Sequence, residues 1–136
     1  MTGAGSDDRR LALVSLLVDD YDEAIAYFVD KLGFIVVEDT PMTPQKRWVV
    51  VAPPGGGGAR LLLAKAKNDA ERPRIGDQTG GRVFLFLHVA DFDAAYAAMR
   101  ARGVDFVEDP RDESYGKVVV FRDLYGYKWD MVERGA

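Results

Sequence analysis

The segment Val18-Asp19-Asp20-Tyr21-Asp22-Glu23-Ala24 returns as Val89-Ala90-Asp91-Phe92-Asp93-Ala94-Ala95, with Asp20 and Asp91 71 positions apart. Further matches follow in the same order. Gly33 pairs with Gly103, Glu38-Asp39 with Glu108-Asp109 and Gly58 with Gly126, at spacings of 70, 70 and 68. A spacing that shrinks slowly along the chain is what loop deletions leave behind in a duplicated sequence, so the chain reads as an internal repeat.

Each copy has the same local grammar. In the first, Leu11 to Val18 is an apolar run that suits a strand buried on both faces. Asp20 with Glu23 three residues on is a capping-box pattern; Ala24, Ile25, Phe28 and Leu32 recur at helical spacing, and Gly33 ends the helix. Phe34 to Glu38 is β-branched and reads as a strand broken by Pro41 and Pro44. Arg47 to Ala52 and Arg60 to Ala64 are two more strands, joined by the turn Pro53 to Gly58. That turn is no phosphate cradle, because no Lys-Ser/Thr follows it and a strand comes next. The second copy repeats this with strands at Val83 to Val89, Val104 to Val107, Lys117 to Arg122 and Tyr127 to Val132. Its helix is capped by Asp91 and carries Phe92, Ala95, Tyr96 and Met99 on one stripe.

The expectation is one compact domain: a lead-in at 1–10, a βαβββ module at 11–65, a polar, Gly-containing linker at 66–82 and a second module at 83–134. A four-stranded sheet with a helix on one face needs its other face covered. The fold class is therefore α+β, with two paired βαβββ modules forming a curved mixed sheet around a cleft, and clefts between modules are where ligands sit.

Composition excludes several functions. With no cysteine, there are no disulfides, thiolate nucleophiles or sulfur-ligated metals. With one histidine, His88, the two- and three-His zinc sites are out of reach. The net charge of −4 and the lack of a Lys/Arg stripe argue against nucleic-acid and anionic-membrane partners. No apolar run approaches the roughly 20 residues of a membrane span, and Met1 to Arg10 does not have the basic-then-apolar form of a secretory signal. The expected location is cytoplasmic.

The string D-D-Y-D-E-A-I-A-Y-F-x-x-K-L-G-F at Asp19 to Phe34 resembles the opening of the vicinal-oxygen-chelate superfamily, the glyoxalase, bleomycin-resistance and extradiol-dioxygenase group. A-R-G-V-D-F-V-E-D-P, followed by F-R-D-L-Y-G-Y-K-W-D-M-V-E, resembles the same group's closing motif. The resemblance runs from about Leu11 to Glu133 and implies a glyoxalase-like fold. Function is less constrained, since the group includes isomerases, dioxygenases, epimerases, transferases and metal-free binders. Metal-dependent members take one ligand from the first and last strand of each module. Those four positions fall on Leu13, Leu62, Phe84 and Asp130. Three are hydrocarbon, and a divalent cation needs several converging oxygen or nitrogen donors. The resemblance thus implies a cleft with no metal site and no cofactor, a divalent metal being disfavoured. It also implies a homodimer, because members commonly dimerise.

Period-two alternation places Ser15 and Leu17 beside Leu13, Phe86 and His88 beside Phe84, and Lys128 and Val132 around Asp130. If that face lines a cleft, the cleft suits a small apolar or aromatic ligand; the same pattern is compatible with plain core between modules. His88 is a candidate base or donor, since imidazoles titrate near neutrality, or a solvent-edge histidine. Asp130 is a candidate base, or an acid paired with Lys128 or Arg60. Trp48, Tyr115, Phe121 and Arg122 lie on or beside the third and seventh strands and are candidate ligand contacts, Arg122 for an anionic group. Asp20, Asp22, Asp91 and Asp93 read as helix caps. If the chain is an enzyme, it is a glyoxalase-family lyase, isomerase or dioxygenase with a noncanonical metal site.

Overall fold

The computed structural model describes residues 8–134; the first seven residues of the expected lead-in lie outside it. The elements run β1 (Leu13–Val18), α1 (Tyr21–Asp30), β2 (Ile35–Thr43), β3 (Lys46–Ala52), β4 (Arg60–Lys65), a 3-10 turn (Arg72–Arg74), β5 (Val83–Val89), α2 (Phe92–Ala101), β6 (Asp105–Phe106), β7 (Arg111–Glu113), β8 (Gly116–Arg122) and β9 (Lys128–Glu133). They form two sheets, ordered β1-β4-β3-β2 and β5-β9-β8-β6, with short β7 also paired to β8. In each, the module's first strand is parallel to its last and the remaining contacts are antiparallel. This is the α+β, doubled architecture expected from the repeat.

Asp20 and Asp91 cap their helices as the sequence implies, but the Glu23 carboxylate, expected to close a capping box, takes the Tyr125 hydroxyl at 2.8 Å instead. The Asp20 carboxylate accepts from the Glu23 N–H at 2.8 Å, and Asp91 accepts from the Ala94 N–H at 3.1 Å. Each satisfies an orphan donor of its helix's first turn. Gly33 and Gly103 follow the helices in the left-handed region, φ 72° and 86°, where a Cβ is unfavourable.

Two local expectations need correction. Pro41 does not break its strand: β2 continues to Thr43, with Pro41 opposite Arg47 and a register shift after it. β2 is an edge strand, so a residue without an N–H forfeits no ladder bond on its open side. The segment between the modules is also more than a spacer. Gln78 lies on the free edge of β1, where its Oε1 accepts from the Leu17 N–H at 2.7 Å and its Nε2 donates to the Ser15 carbonyl at 3.1 Å. Gly76, φ 80°, passes so close to the β8–β9 turn that a Cβ there would meet the Tyr125 carbonyl oxygen at 2.0 Å.

One core joins the two halves. Leu16, Leu63 and Val49 of the first sheet, Met131, Val119 and Phe121 of the second, and Phe28 and Phe92 of the helices belong to the same buried cluster. Trp129 sits at its centre, with ring centroids 6.1 Å from Phe28, 5.9 Å from Phe34 and 5.5 Å from Phe121. Each sheet therefore has an inner face toward this core and an outer face away from it.

Candidate functional site

Strand register defines the outer faces. In the first sheet Ser15 lies opposite Leu62, and Leu62 opposite Val50. In the second, Phe86 lies opposite Asp130 and Asp130 opposite Val120, with His88, Val132 and Val118 forming the next row. Leu62 and Asp130 thus hold equivalent central places, as their spacing of 68 implies. Leu13 is one step along the Ser15 face, opposite Arg60. Phe84 is displaced: the ladder shifts between Val83 and Leu85, and the Phe84 ring packs 5.6 Å from that of Tyr127.

Asp130 is the one carboxylate among the four positions. Its Oδ1 is shielded from solvent and has no hydrogen-bond partner. Burial holds its carboxyl above the ordinary range, Arg111 opposes that shift and Glu108 adds to it. Neither Lys128 nor Arg60 forms an ion pair with it; the nearby cation is Arg111, which is itself bonded to Glu108 at 3.1 Å and to Glu113. Glu108 also accepts the Val120 N–H at 3.0 Å, continuing the β6–β8 edge by side chain. Beside Asp130, Phe86 is 64% exposed, a large apolar group held in solvent next to an unpartnered carboxylate oxygen.

The donor set does not fit the divalent cation that the resemblance brings into question. Leu13, Leu62 and Phe84 have no donor atom, and among the described residues no three His, Asp or Glu side chains converge. Nor do Leu13, Ser15, Leu62 or Asp130 line the cavity of about 380 Å³ between the halves.

The other candidates separate. Ser15 and His88 are exposed and Trp48 is half-buried, all on strand positions of the outer faces. Tyr115 is 47% exposed in the β7–β8 turn, under the Arg134 guanidinium at 5.9 Å. Arg122 is exposed at the end of β8, 3.8 Å from Asp105. Phe121 is corrected: its strand parity is that of the inner face, where it is fully buried and stacked on Trp129, and it does not reach the cavity between the halves.

Asp123, in the turn between β8 and β9, was not among the expected site residues. It is the one buried charged residue among those described, accepting from the Tyr125 and Tyr127 N–H groups at 3.0 and 3.1 Å and from Trp129 Nε1 at 3.0 Å. Burial pushes its carboxyl up to about 6, against the pull of those donors. Its spacing to Trp129 was a legible signal, since a turn aspartate and an indole six residues on can meet across a tight hairpin.

A cavity of about 380 Å³ lies where the halves meet, under the Pro53–Gly58 turn and against β5. Its walls include Val14, Phe34, Leu61 and Trp129; of the expected site residues, Phe86 and His88 border it. The volume is within the range of small-molecule pockets.

Comparison with known proteins places these features in a family. Residues 10–131 match the model of the Glyoxalase/Bleomycin resistance protein/Dioxygenase superfamily. An uncharacterized protein of Shewanella frigidimarina is 50% identical over 121 residues, which is 88% of this chain and 90% of that one. The crystal structure of UcmS2 superposes with a TM-score of 0.80 at 30% identity, covering 92% of this chain and 98% of that chain. TnmS3, an antibiotic binding protein from Streptomyces sp. CB03234, gives a TM-score of 0.75 at 26% identity, over 96% and 100% of the two chains. With its doubled βαβββ fold and a family match spanning nearly all its length, the chain belongs to the Glyoxalase/Bleomycin resistance protein/Dioxygenase superfamily.

Proposed function

We propose that this protein binds a small apolar or aromatic molecule without a divalent metal, on the outer sheet faces, as a homodimer in the cytoplasm. The observation that carries the reading is the outer face of the second sheet: Phe86 is exposed beside Asp130, whose Oδ1 lacks a partner. A buried acceptor without a donor costs about 1–3 kcal/mol, and a ligand N–H or O–H would remove that cost while its apolar body covers Phe86. Leu13 and Leu62, both half-buried, offer a matching hydrocarbon surface on the first sheet. Since Ser15, Phe86 and His88 on the outer faces are exposed, a second copy is the natural means of closing a cleft over them. The resemblance to an antibiotic binding protein supports sequestration of a small molecule.

A thermal-shift screen against planar antibiotics, catechols and glutathione hemithioacetals, with and without Mn, Ni and Zn, tests this. Stabilisation independent of metal, weakened in Asp130→Ala, is expected. Stabilisation only with metal, or a stoichiometric ion in protein purified without chelator that Asp130→Ala loses, would overturn the metal-free reading. The second reading is a lyase, isomerase or dioxygenase acting through a noncanonical site. The raised Asp130 carboxyl favours it, because burial moves an acid toward use as a proton acceptor near neutrality. Turnover abolished in Asp130→Asn with ligand binding intact would select it.

A further inference from the structure

The two halves differ at a place where the repeat pairs them. The turn before β9 carries Tyr125 and Tyr127; at the local spacing of 68, their first-half counterparts are Gly57 and Ala59. Tyr127 is buried, with its hydroxyl 2.7 Å from both the Leu17 carbonyl oxygen and Gln78 Oε1. Gln78 also takes the Leu17 N–H and donates to the Ser15 carbonyl. The free edge of β1 is thus sealed by one aromatic ring and one carboxamide.

The free edge of β5 has no such seal. His88 is the counterpart of Leu17 and lies opposite Val132 as Leu17 lies opposite Ala64. That shared register turns the N–H and C=O of His88, and the C=O of Phe86, toward the free edge, because backbone groups of a strand alternate in direction. No loop or side chain among the described residues bonds them. Where the second half places a tyrosine, the first half has the cavity of about 380 Å³, bordered by Gly58 and Ala59. Four consecutive β5 residues, Leu85 to His88, line it. Alternate side chains leave a strand on opposite faces, so a cavity touching all four runs along the strand's edge. Phe34, Trp129, Val14 and Leu61 give it apolar walls.

We propose that this cavity is a second ligand site, separate from the Asp130 face, for an uncharged planar aromatic carboxamide. The ring would occupy the space that Tyr127 fills in the other half. The amide would supply the acceptor for the His88 N–H and the donor for the Phe86 carbonyl, as Gln78 does for Leu17 and Ser15.

The test is a titration of the full-length, 15N-labelled chain with 2-naphthamide, and with methyl 2-naphthoate, which keeps the outline and carbonyl but has no N–H. Naphthamide is expected to move the His88 and Phe86 amide signals, leave that of Leu17 in place and bind at least 10-fold more tightly than the ester. Ala59→Tyr, which restores the missing ring at an exposed position, is expected to weaken naphthamide at least 10-fold, while Asp130→Ala leaves it unchanged. Equal binding of the ester, undiminished binding to Ala59→Tyr, or no His88 shift at millimolar naphthamide would overturn the proposal. Loss of binding in Asp130→Ala would place the ligand on the outer face, refuting the second site while leaving the proposed function standing.

Discussion

Replacing Gln78 by leucine tests how the modules are held together. The amide orientation is dictated by its neighbours: an N–H at Leu17 must meet the oxygen, and a C=O at Ser15 the nitrogen. Leucine keeps the side chain's bulk and removes both groups. The partly buried Leu17 N–H is then unmatched, at about 1–3 kcal/mol, while the single Tyr127 O–H proton keeps an acceptor. Tyr127 retains the Leu17 carbonyl, and the Ser15 bond is exposed and adds little. The expected loss is about 2 kcal/mol, or roughly 7 °C in Tm for a chain of this size. Urea unfolding followed by tryptophan fluorescence measures it, with an unchanged m value showing that the transition is still of the whole domain. Gln78→Glu is the companion, because a carboxylate still accepts from Leu17 and Tyr127; its loss should stay below about 1 kcal/mol. A loss under about 0.5 kcal/mol for leucine, or equal losses for both variants, would refute the account.

Gly76→Ala should destabilise by about 2–4 kcal/mol, combining left-handed backbone strain with a Cβ 2.0 Å from the Tyr125 carbonyl oxygen, and is read by the same unfolding curves. For Asp123, the folded carboxyl at about 6 lies above the ordinary 3.8, so the folded state binds the proton more tightly. Its contribution to stability is full below pH 4 and is lost as pH rises through 6, by up to about 3 kcal/mol. The stability of the parent relative to Asp123→Asn, which does not titrate, should therefore fall between pH 4 and pH 7 in urea titrations. Phe86→Glu should leave monomer stability within about 0.5 kcal/mol, because the ring is largely exposed, yet shift sedimentation at micromolar concentration from dimer to monomer. Parent protein sedimenting only as monomer would count against the homodimer.

What the sequence determined was the doubled module. Caps at Asp20 and Asp91, helical stripes ending at Gly33 and Gly103, and alternating strands are local signals, each set by residues within a turn or two of one another. The equivalence of Leu62 and Asp130 was legible for the same reason, since a repeat carries register with it. Tertiary structure decided what those signals leave open. Whether Phe121 meets ligand or core depends on which sheet face the helices cover, and strand alternation is the same either way. Pro41 stays in its strand because β2 is an edge, a fact about neighbours rather than sequence. The Gln78 bond to Leu17 spans 61 positions and the Tyr127 bond to the same residue spans 110; no local pattern encodes them, and they arise only when the two halves fold onto one core.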